Sequence, residues 1–344
     1  MATLTRIVIC TVLGLFIIFT KDAKAADHSL RLSTTPLSEF VLPFQLFKNL
    51  IVVKAYADGQ QGSFIIDTGA SSTILNATYF TGLINRDQQS TDFAGSFTTF
   101  REKVIQFNWG HGQTTSVRAM ITNFDALKKL FGVDIMGYIG YDILQDYEIV
   151  FDYQRREITL FELNNKGWRK YDSPIHADAT DSITLGRNDY LPYLTLEVGG
   201  KKLKLGIDSG AAFNLLRTGL TKKIDRHFQK DGFVKIAGYS GKVALCQKGI
   251  LQKMNLNNIP WAPMNCVIQD IDHINTTLDT QLDGLLGFEF LKQYKVAINY
   301  RKNRLYIWQP DEFSPDYPET KLLLTESQNP ISKSNLILLP DSKN

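Results

Sequence analysis

Apolar residues along the chain occur in short runs, and many of these runs alternate with polar residues. Runs of four to eight residues that are rich in Val, Ile, Phe and Tyr and end at Gly, Asn or Asp predict β-strands. Two such runs, at 50–56 and 62–66, flank Asp58 and Gly59, and this arrangement predicts a β-hairpin. Helical stretches are few and short, such as 124–131. The pattern therefore predicts a mostly β fold.

The hairpin pattern recurs in the second half of the chain. Strand-like runs at 193–198 and 203–207 flank Gly199 and Gly200, and each of the two hairpins ends in an Asp-Thr/Ser-Gly-Ala tetrapeptide. The two copies are Asp67-Thr68-Gly69-Ala70 and Asp208-Ser209-Gly210-Ala211. One copy alone would be weak evidence, because Asp-x-Gly is a common turn sequence. Two copies in one chain indicate two carboxylates that an internal two-fold axis brings together.

Each tetrapeptide is followed, after a similar interval, by a second shared element. It reads Gly, two apolar residues, Gly, an aromatic residue, an acid, an apolar residue and Leu, at 137–144 and again at 284–291. The interval from the Asp to the second Gly of this element is 73 residues in the first copy and 79 in the second. The chain is therefore a duplication of units of about 120 residues, which is too long for a solenoid repeat and predicts two homologous lobes.

The repeats and the composition between them predict the domain organisation. The segment between the lobes is polar, and five prolines after residue 309 indicate a tail that is ordered only in part. The predicted units are a signal peptide (1–25), an N-terminal lead-in (26–42), lobe 1 (43–163), a linker (164–188), lobe 2 (189–309) and a C-terminal tail (310–344).

The first residues have the features of an export signal. Arg6 precedes an apolar stretch of thirteen residues at 7–19, which is short for a bilayer span. Ala23-Lys24-Ala25 fits a small-x-small cleavage site. We therefore expect an exported protein, periplasmic or secreted, with no stable membrane association after signal cleavage. The alternative is an uncleaved signal anchor that tethers the chain to a membrane.

Composition and charge narrow the class of protein. Apolar residues make up 44% of the chain and charged residues 21%, as in soluble globular proteins. The formal net charge is +3, and Lys and Arg are scattered without a basic stripe, which argues against a nucleic-acid partner. None of the five histidines has metal-ligand spacing, and no phosphate loop or Gly-x-Ser-x-Gly elbow is present. We therefore expect neither a metal nor a cofactor.

Cys246 and Cys266 are the two cysteines outside the N-terminal apolar stretch. In an exported protein they could form one disulfide, which would close a loop of about twenty residues and stabilise the fold by about 3 kcal/mol. Two buried free thiols are the alternative, because sequence spacing does not fix the distance between the sulfur atoms.

A Gly-rich turn between each tetrapeptide and its later partner predicts a mobile flap over a cleft. In lobe 1 the turn contains Gly95 and Ser96, and in lobe 2 it contains Gly238, Tyr239 and Gly241. An ordinary surface hairpin is the alternative in both lobes.

Taken in order, the two tetrapeptides and their apolar-apolar-Gly partners resemble those of a retropepsin-like (clan AA) aspartic protease. The resemblance is to a two-lobed form in a single chain, of the bacterial or retroviral-like branch. It implies two homologous acid-protease-like β-barrel lobes with an active-site cleft between them. It also implies that Asp67 and Asp208 form the catalytic dyad. The residues implied to support the dyad loops are Thr68, Gly69, Ser209, Gly210, Gly140 and Gly287.

The activity implied by the resemblance is endopeptidase hydrolysis by a water molecule that the dyad activates. Two neighbouring carboxylates share one proton, so we expect cleavage of peptide or protein substrates at acidic to mildly acidic pH. The two lobes would form a pseudo-dimer within one monomeric chain, without a cofactor.

Two other functions fit part of the pattern. A non-catalytic peptide-binding protein could use the same fold, although both Asp residues and both supporting Gly residues are intact. An actin- or sugar-kinase-like enzyme could bind phosphate at an Asp-x-Gly loop in each lobe. The export signal and the apolar-apolar-Gly partners argue against that enzyme class.

Overall fold

The computed structural model of the chain describes residues 39–81, 84–91, 97–111, 114–124, 128, 132, 134–170, 179–237 and 243–308. The predicted signal peptide, most of the lead-in, the C-terminal tail and both predicted flap turns lie outside these residues. Within the described ranges, no helix is both long enough and apolar enough to cross a membrane.

The first repeat forms an eight-stranded sheet with strand order β2-β3-β4-β9-β5-β8-β7-β6. One short helix, α1 (Tyr141–Leu144), follows β9. The strands of this repeat are β1 (Glu39–Pro43), β2 (Gln45–Phe47), β3 (Leu50–Ala57), β4 (Gln60–Ile66), β5 (Ile74–Asn76), β6 (Ile84–Thr91), β7 (Phe97–Asn108), β8 (Thr114–Thr122), β9 (Gly137–Ile139), β10 (Tyr147–Asp152) and β11 (Glu157–Glu162).

The second repeat forms a ten-stranded sheet with strand order β17-β18-β21-β16-β22-β15-β14-β19-β20, and β13 pairs with β14 beside it. Its strands are β12 (Asp181–Thr184), β13 (Gly186–Asn188), β14 (Leu191–Val198), β15 (Lys201–Ile207), β16 (Asn214–Arg217), β17 (Phe228–Ala237), β18 (Val243–Leu251), β19 (Met254–Leu256), β20 (Ile259–Trp261), β21 (Met264–Gln269), β22 (Gly284–Leu286), β23 (Lys295–Asn299) and β24 (Arg304–Trp308). Its helical segments are α2 (Thr221–Ile224), a 3₁₀ turn (Asp225–His227), α3 (Asp272–Thr277) and α4 (Phe288–Leu291).

The two predicted hairpins are confirmed, and their turns explain why they close where they do. β3 and β4 are joined at Asp58 and Gly59, whose φ angles are 49° and 77°. β14 and β15 are joined at Gly199 and Gly200, with φ angles of 55° and 81°. Two successive positive φ angles match the twist of the flanking strands, and Gly and Asp adopt such angles at low cost.

In each lobe the apolar-apolar-Gly element forms a strand beside the strand that ends at the Asp. β9 runs parallel to β4, with Ile139 opposite Ile66. β22 runs parallel to β15, with Leu286 opposite Ile207. Parallel pairing sends both strands toward the same edge of the sheet, so the Gly after each apolar pair arrives next to the Asp loop.

A third sheet of six strands, ordered β1-β11-β10-β23-β24-β12, joins the two repeats. β10 and β23 pair antiparallel at its centre, with Ile149 opposite Ile298, and both side chains are fully buried. The buried Glu148 carboxylate accepts a hydrogen bond of 2.8 Å from Asn299 and forms an ion pair with Arg169. The lobes are thus connected by backbone pairing and by a buried carboxylate of lobe 1 that has partners in lobe 2 and in the predicted linker.

Aromatic residues at equivalent positions of the two repeats reach across to the opposite lobe. Tyr153 of lobe 1 packs edge-on against Phe288 of lobe 2, with ring centroids 5.6 Å apart. Tyr300 of lobe 2 packs edge-on against Tyr141 of lobe 1 at 5.3 Å. This reciprocal exchange is what an internal two-fold axis requires.

Two segments without clear alternation form edge strands of the six-stranded sheet. β1, which begins in the predicted lead-in, pairs with β11 at one edge. β12, which lies inside the predicted linker, pairs with β24 at the other edge. An edge strand needs one neighbour with unpaired backbone groups, so a weak sequence pattern is enough.

The cysteine pair predicted as a possible disulfide does not form a bond in the structure, where Cys246 and Cys266 are buried free thiols. Cys266 on β21 pairs with Gly249, which lies three positions along β18 from Cys246. Three positions correspond to about 10 Å along a strand and to opposite faces of the sheet. The Cys246 thiol donates to Gln269 Oε1 at 2.8 Å instead.

Candidate active site

Asp67 and Asp208 lie at the ends of β4 and β15, where the two lobes meet. The backbone N–H of Asp67 donates to Ile139 O at 3.0 Å, and that of Asp208 donates to Leu286 O at 2.9 Å. Each Asp therefore leaves its strand in a direction fixed by the neighbouring parallel strand. This local geometry follows from the repeated sequence elements.

Each Asp loop closes tightly on its own carboxylate and approaches the carboxylate of the other lobe. The Gly69 N–H donates to Asp67 Oδ1 at 2.9 Å, and the Gly210 N–H donates to Asp208 Oδ1 at 2.8 Å. A Cβ atom at Gly69 would lie 2.5 Å from Asp208 Cγ, and one at Gly210 would overlap Asp67 in the same way. Only glycine allows this approach at either position.

Thr68 and Ser209 lock the two loops together through four hydrogen bonds across the lobes. The Thr68 hydroxyl donates to Ile207 O at 3.0 Å and accepts from the Ser209 N–H at 2.8 Å. The Ser209 hydroxyl donates to Ile66 O at 2.7 Å and accepts from the Thr68 N–H at 3.1 Å. Both side chains are buried, so water cannot replace these bonds.

Gly140 and Gly287 brace the loops from the opposite side of the carboxylates. The N–H after each of them donates to its Asp loop, from Tyr141 to Ala70 O at 2.9 Å and from Phe288 to Ala211 O at 3.0 Å. A Cβ atom at Gly140 would meet the backbone of the loop at 2.6 Å, and the space at Gly287 is as tight. All eight residues predicted for the dyad and its loops therefore come together at one place.

The sequence patterns did not reveal two polar contacts that complete the braces. In lobe 1, Asp142 accepts hydrogen bonds from the N–H and the hydroxyl of Thr73 at 2.9 and 2.8 Å. In lobe 2, the buried Asn214 accepts a hydrogen bond of 2.8 Å from the Gly287 N–H. Thr73 in lobe 1 corresponds to Asn214 in lobe 2, so matching the repeats gives no signal for these two contacts, although the acid at Asp142 belongs to the shared element.

The dyad shows the electrostatics of two carboxylates held in contact. Burial, the charge of Asp208 and a hydrogen bond with Asp208 together raise the pKa of Asp67 well above its usual range. Burial also raises the pKa of Asp208, against the lowering effect of the bond from Asp67 and of nearby backbone N–H groups. As whole residues, Asp67 and Asp208 are nevertheless only half-buried. The pair therefore keeps one proton at a pH where an isolated carboxyl would lose it.

Two tyrosines of lobe 2 lie near the dyad and were not predicted. Burial, followed by the charges of Asp67 and Asp208, raises the pKa of Tyr190 to about 12. Burial and then the charge of Asp67 raise the pKa of Tyr300 well above its usual range. Tyr190 directly precedes the second hairpin, just as Asn49 directly precedes the first. The Asn49 amide donates to Ala212 O in the opposite lobe at 3.3 Å. The match between these two positions is the signal that could have found Tyr190.

The raised carboxyl pKa values predict how stability depends on pH. A folded-state pKa above the unfolded-state value contributes stability below the unfolded pKa and loses it as pH rises through the folded pKa. The free energy of unfolding should therefore fall from acidic toward neutral pH, by about 1.4 kcal/mol for a tenfold difference between the folded-state and unfolded-state acid constants. Urea unfolding at a series of pH values should show a shallower fall for Asp67→Asn. An unchanged slope in that variant would contradict the prediction.

The remaining predicted site residues have no described counterpart. The flap positions Gly95, Ser96, Gly238, Tyr239 and Gly241 lie outside the described residues, so they stay predictions. Within the described ranges, no three His, Cys, Asp or Glu side chains come together as a metal site would require.

Comparisons of the sequence place the chain near known aspartic proteases. Residues 194–290 match the family model described as aspartyl protease, and this range includes Asp208 and Gly287. A segment of 138 residues is 30% identical to DNA damage-inducible protein 1 of Kluyveromyces lactis, and covers 38% of this chain and 29% of that protein. The resemblance to the retropepsin-like aspartic proteases is confirmed, and the chain spans less than a third of the length of the curated relative that it matches.

Comparison with one solved structure agrees with the predicted fold class. Basic 7S globulin from soybean superposes with a TM-score of 0.50 at 12% identity, over 80% of this chain and 96% of the globulin. Conglutin gamma from lupine seeds gives a TM-score of 0.48 at 11% identity, over 80% of this chain and 95% of conglutin gamma. The likeness to the soybean protein concerns the fold alone and does not bear on activity. The mostly β, two-lobed fold class is confirmed.

Proposed function

We propose that this chain is an aspartic endopeptidase in which Asp67 and Asp208 share one proton and activate a water molecule for attack on a peptide bond. The observation that carries the proposal is the locked pair of Asp loops. Four buried hydrogen bonds of 2.7 to 3.1 Å join the two loops and keep Asp67 within hydrogen-bonding reach of Asp208. A structural role alone would not require two carboxyl groups with raised pKa values at the same point.

The chemistry follows from the shared proton. The ionised carboxylate takes a proton from a water molecule, whose oxygen attacks the carbonyl carbon of the scissile bond. The protonated carboxyl group gives its proton to the carbonyl oxygen, so a neutral tetrahedral gem-diol forms. The carboxyl group that took the proton from water then gives it to the amide nitrogen, and the other carboxylate accepts a proton from a gem-diol hydroxyl as the C–N bond breaks. A carboxylic acid and an amine are released, and the pair again holds one proton. We assign the two roles to the pair jointly, because the two loops are nearly equivalent.

The surrounding residues hold the dyad in place during this sequence. Thr68 and Ser209 fix the spacing of the two loops, and the glycines let the carboxyl groups touch. An extended peptide would lie across the dyad and pair through its backbone, in the manner of a strand added to a sheet. Nothing in the locked geometry favours one side-chain sequence, so the substrate is proposed only as peptide or protein.

A peptide library tests the proposal. The chain should cleave library peptides at acidic to mildly acidic pH, and a pepstatin-type inhibitor should block the cleavage. Mass spectrometry of the products would identify the cut bonds and the preferred flanking residues. Saturable peptide binding without any cleavage across this pH range would instead favour the non-catalytic peptide-binding alternative.

A further inference from the structure

The hairpin formed by β17 and β18 has one face that turns apolar side chains to solvent. Lys235 is opposite Leu245, and Phe233 is opposite Gln247, so these side chains lie on the same face. Val243 lies on that face as well, two positions before Leu245 on β18. We call Phe233, Lys235, Val243 and Leu245 the outer hairpin face.

The exposure of this face is unusual for the molecule. Phe233 is 56% exposed, Val243 49% and Leu245 66%, whereas Ile236 and Cys246 on the other face are buried. Across the described residues six large apolar side chains are strongly exposed, and three of them lie on this one face. Clustered exposed apolar side chains mark interaction surfaces more often than scattered ones do.

The hairpin also concentrates positive charge. The hairpin, residues 228–251, contains four Lys and one Asp, a net charge of +3, which equals the net charge of the whole chain. The corresponding segment of lobe 1, residues 84–108, contains three basic and three acidic residues and is neutral. The charge is therefore a property of this one hairpin and is not shared by its counterpart in the other lobe.

The cations near the outer hairpin face are available to a partner. Asp231 is paired with Lys248 at 2.8 Å. Lys230 and Lys235 are exposed, and within the described part of the chain they have no acidic partner. Among the described residues, β17 is also an edge strand of its sheet, so one backbone side of the hairpin has no strand beside it.

From this combination we infer that the outer hairpin face binds an anionic lipid surface. Apolar side chains that protrude between exposed Lys residues suit insertion among anionic lipid headgroups, whereas Lys is depleted in protein–protein interfaces. All four basic residues of the hairpin are Lys, whose compact charge on a flexible stem suits the diffuse field of headgroups better than bidentate recognition. The sequence alone predicted no stable membrane association, because the register that gathers these residues on one face is not visible in it.

Vesicle sedimentation of the full chain tests this inference, with vesicles of phosphatidylcholine alone and of phosphatidylcholine mixed with phosphatidylglycerol. We expect binding that is stronger on the anionic vesicles. Phe233→Ser combined with Leu245→Ser should lower it by about tenfold or more. Lys235→Gln should lower it by about fivefold, and added salt should weaken what remains. The N-terminal apolar stretch is identical in every variant, so the differences report on the hairpin.

The matched control is Val104→Ser, which removes an exposed apolar side chain (45%) from β7 in the neutral hairpin of lobe 1. It should bind anionic vesicles as the unmodified chain does. Thermal melting of each variant separates loss of binding from loss of folding. As a second readout, Phe233→Trp should bind normally, and its emission should shift to shorter wavelength on anionic vesicles only.

The inference would be overturned if the chain bound both kinds of vesicle equally or bound neither. It would also be overturned if the variant with Phe233→Ser and Leu245→Ser bound anionic vesicles as well as the unmodified chain does. Retention on an acidic polypeptide without vesicle binding would also overturn it and would assign the face to an acidic protein partner. Peptide cleavage is not part of any of these measurements, so the outcome is independent of the proposed protease activity.

Discussion

Replacing either dyad carboxyl group by an amide is expected to abolish peptide hydrolysis. Asp67→Asn and Asp208→Asn each preserve shape but remove a group that must exist in both the charged and the protonated form. Cleavage of a fluorogenic peptide identified from the library should fall by about four orders of magnitude or more in each variant. The double variant should be no worse than either single one, because the two groups act as a unit.

Asp58→Asn is the matched control for this experiment. Asp58 lies in the β3–β4 turn, far along the strand from the dyad, and it forms an ion pair with Lys103 at 2.7 Å. The change removes one carboxylate of the same type without touching the site, so activity should stay within about twofold, in line with the small effect of surface substitutions. Full activity in Asp208→Asn would rule out a shared-proton dyad, whatever the control shows.

The second large effect is expected in the cross-lobe lock. Thr68→Val keeps the shape of the side chain but removes the hydroxyl that donates to Ile207 O and accepts from the Ser209 N–H. Two buried backbone groups then lack partners, which should lower the free energy of unfolding by about 2–5 kcal/mol. Activity should fall as well, because the two carboxyl groups are no longer held at one spacing. Chemical denaturation and peptide cleavage measure the two effects.

Thr195→Val is the control for the lock. Thr195 lies at an exposed position on β14, so the same substitution removes a hydroxyl that water already solvates. It should change the free energy of unfolding by no more than about 0.5 kcal/mol. Ser209→Thr should be tolerated far better than Ser209→Ala, because it retains the hydroxyl that bonds Ile66 O. Equal losses for Thr68→Val and Thr195→Val would show that the lock does not stabilise the interface.

Much of the site could be predicted because the chain contains it twice. Asp67 and Asp208, with their glycines, stand at the ends of strands whose alternation and turn residues are local properties of the sequence. A local pattern that occurs twice predicts two lobes related by an internal two-fold axis. The two Asp loops are then expected to meet at that axis. This logic placed Thr68 and Ser209 correctly, although it could not supply the four hydrogen-bond partners that they have in the structure.

The failures all involve residues whose roles depend on pairing between distant strands. Cys246 and Cys266 looked suitable for a disulfide, but the register between β18 and β21 puts them on opposite faces. Tyr190 and Tyr300 were missed because their proximity to the dyad depends on how the two lobes meet, which the sequence does not give. β12 formed inside a segment that was predicted to be a linker.

By itself, the sequence therefore determined the strand-rich composition, the two hairpins, the duplication and the pair of Asp loops, because these depend on contacts between near neighbours. The tertiary structure alone decided how the loops interlock, which aromatic residues cross between lobes, that the thiols stay apart and that Phe233, Val243 and Leu245 share an exposed face. A shift of one residue in strand register moves every side chain to the other face of a sheet. Register between distant strands is set by the packing of the whole core, and short-range periodicity does not encode it.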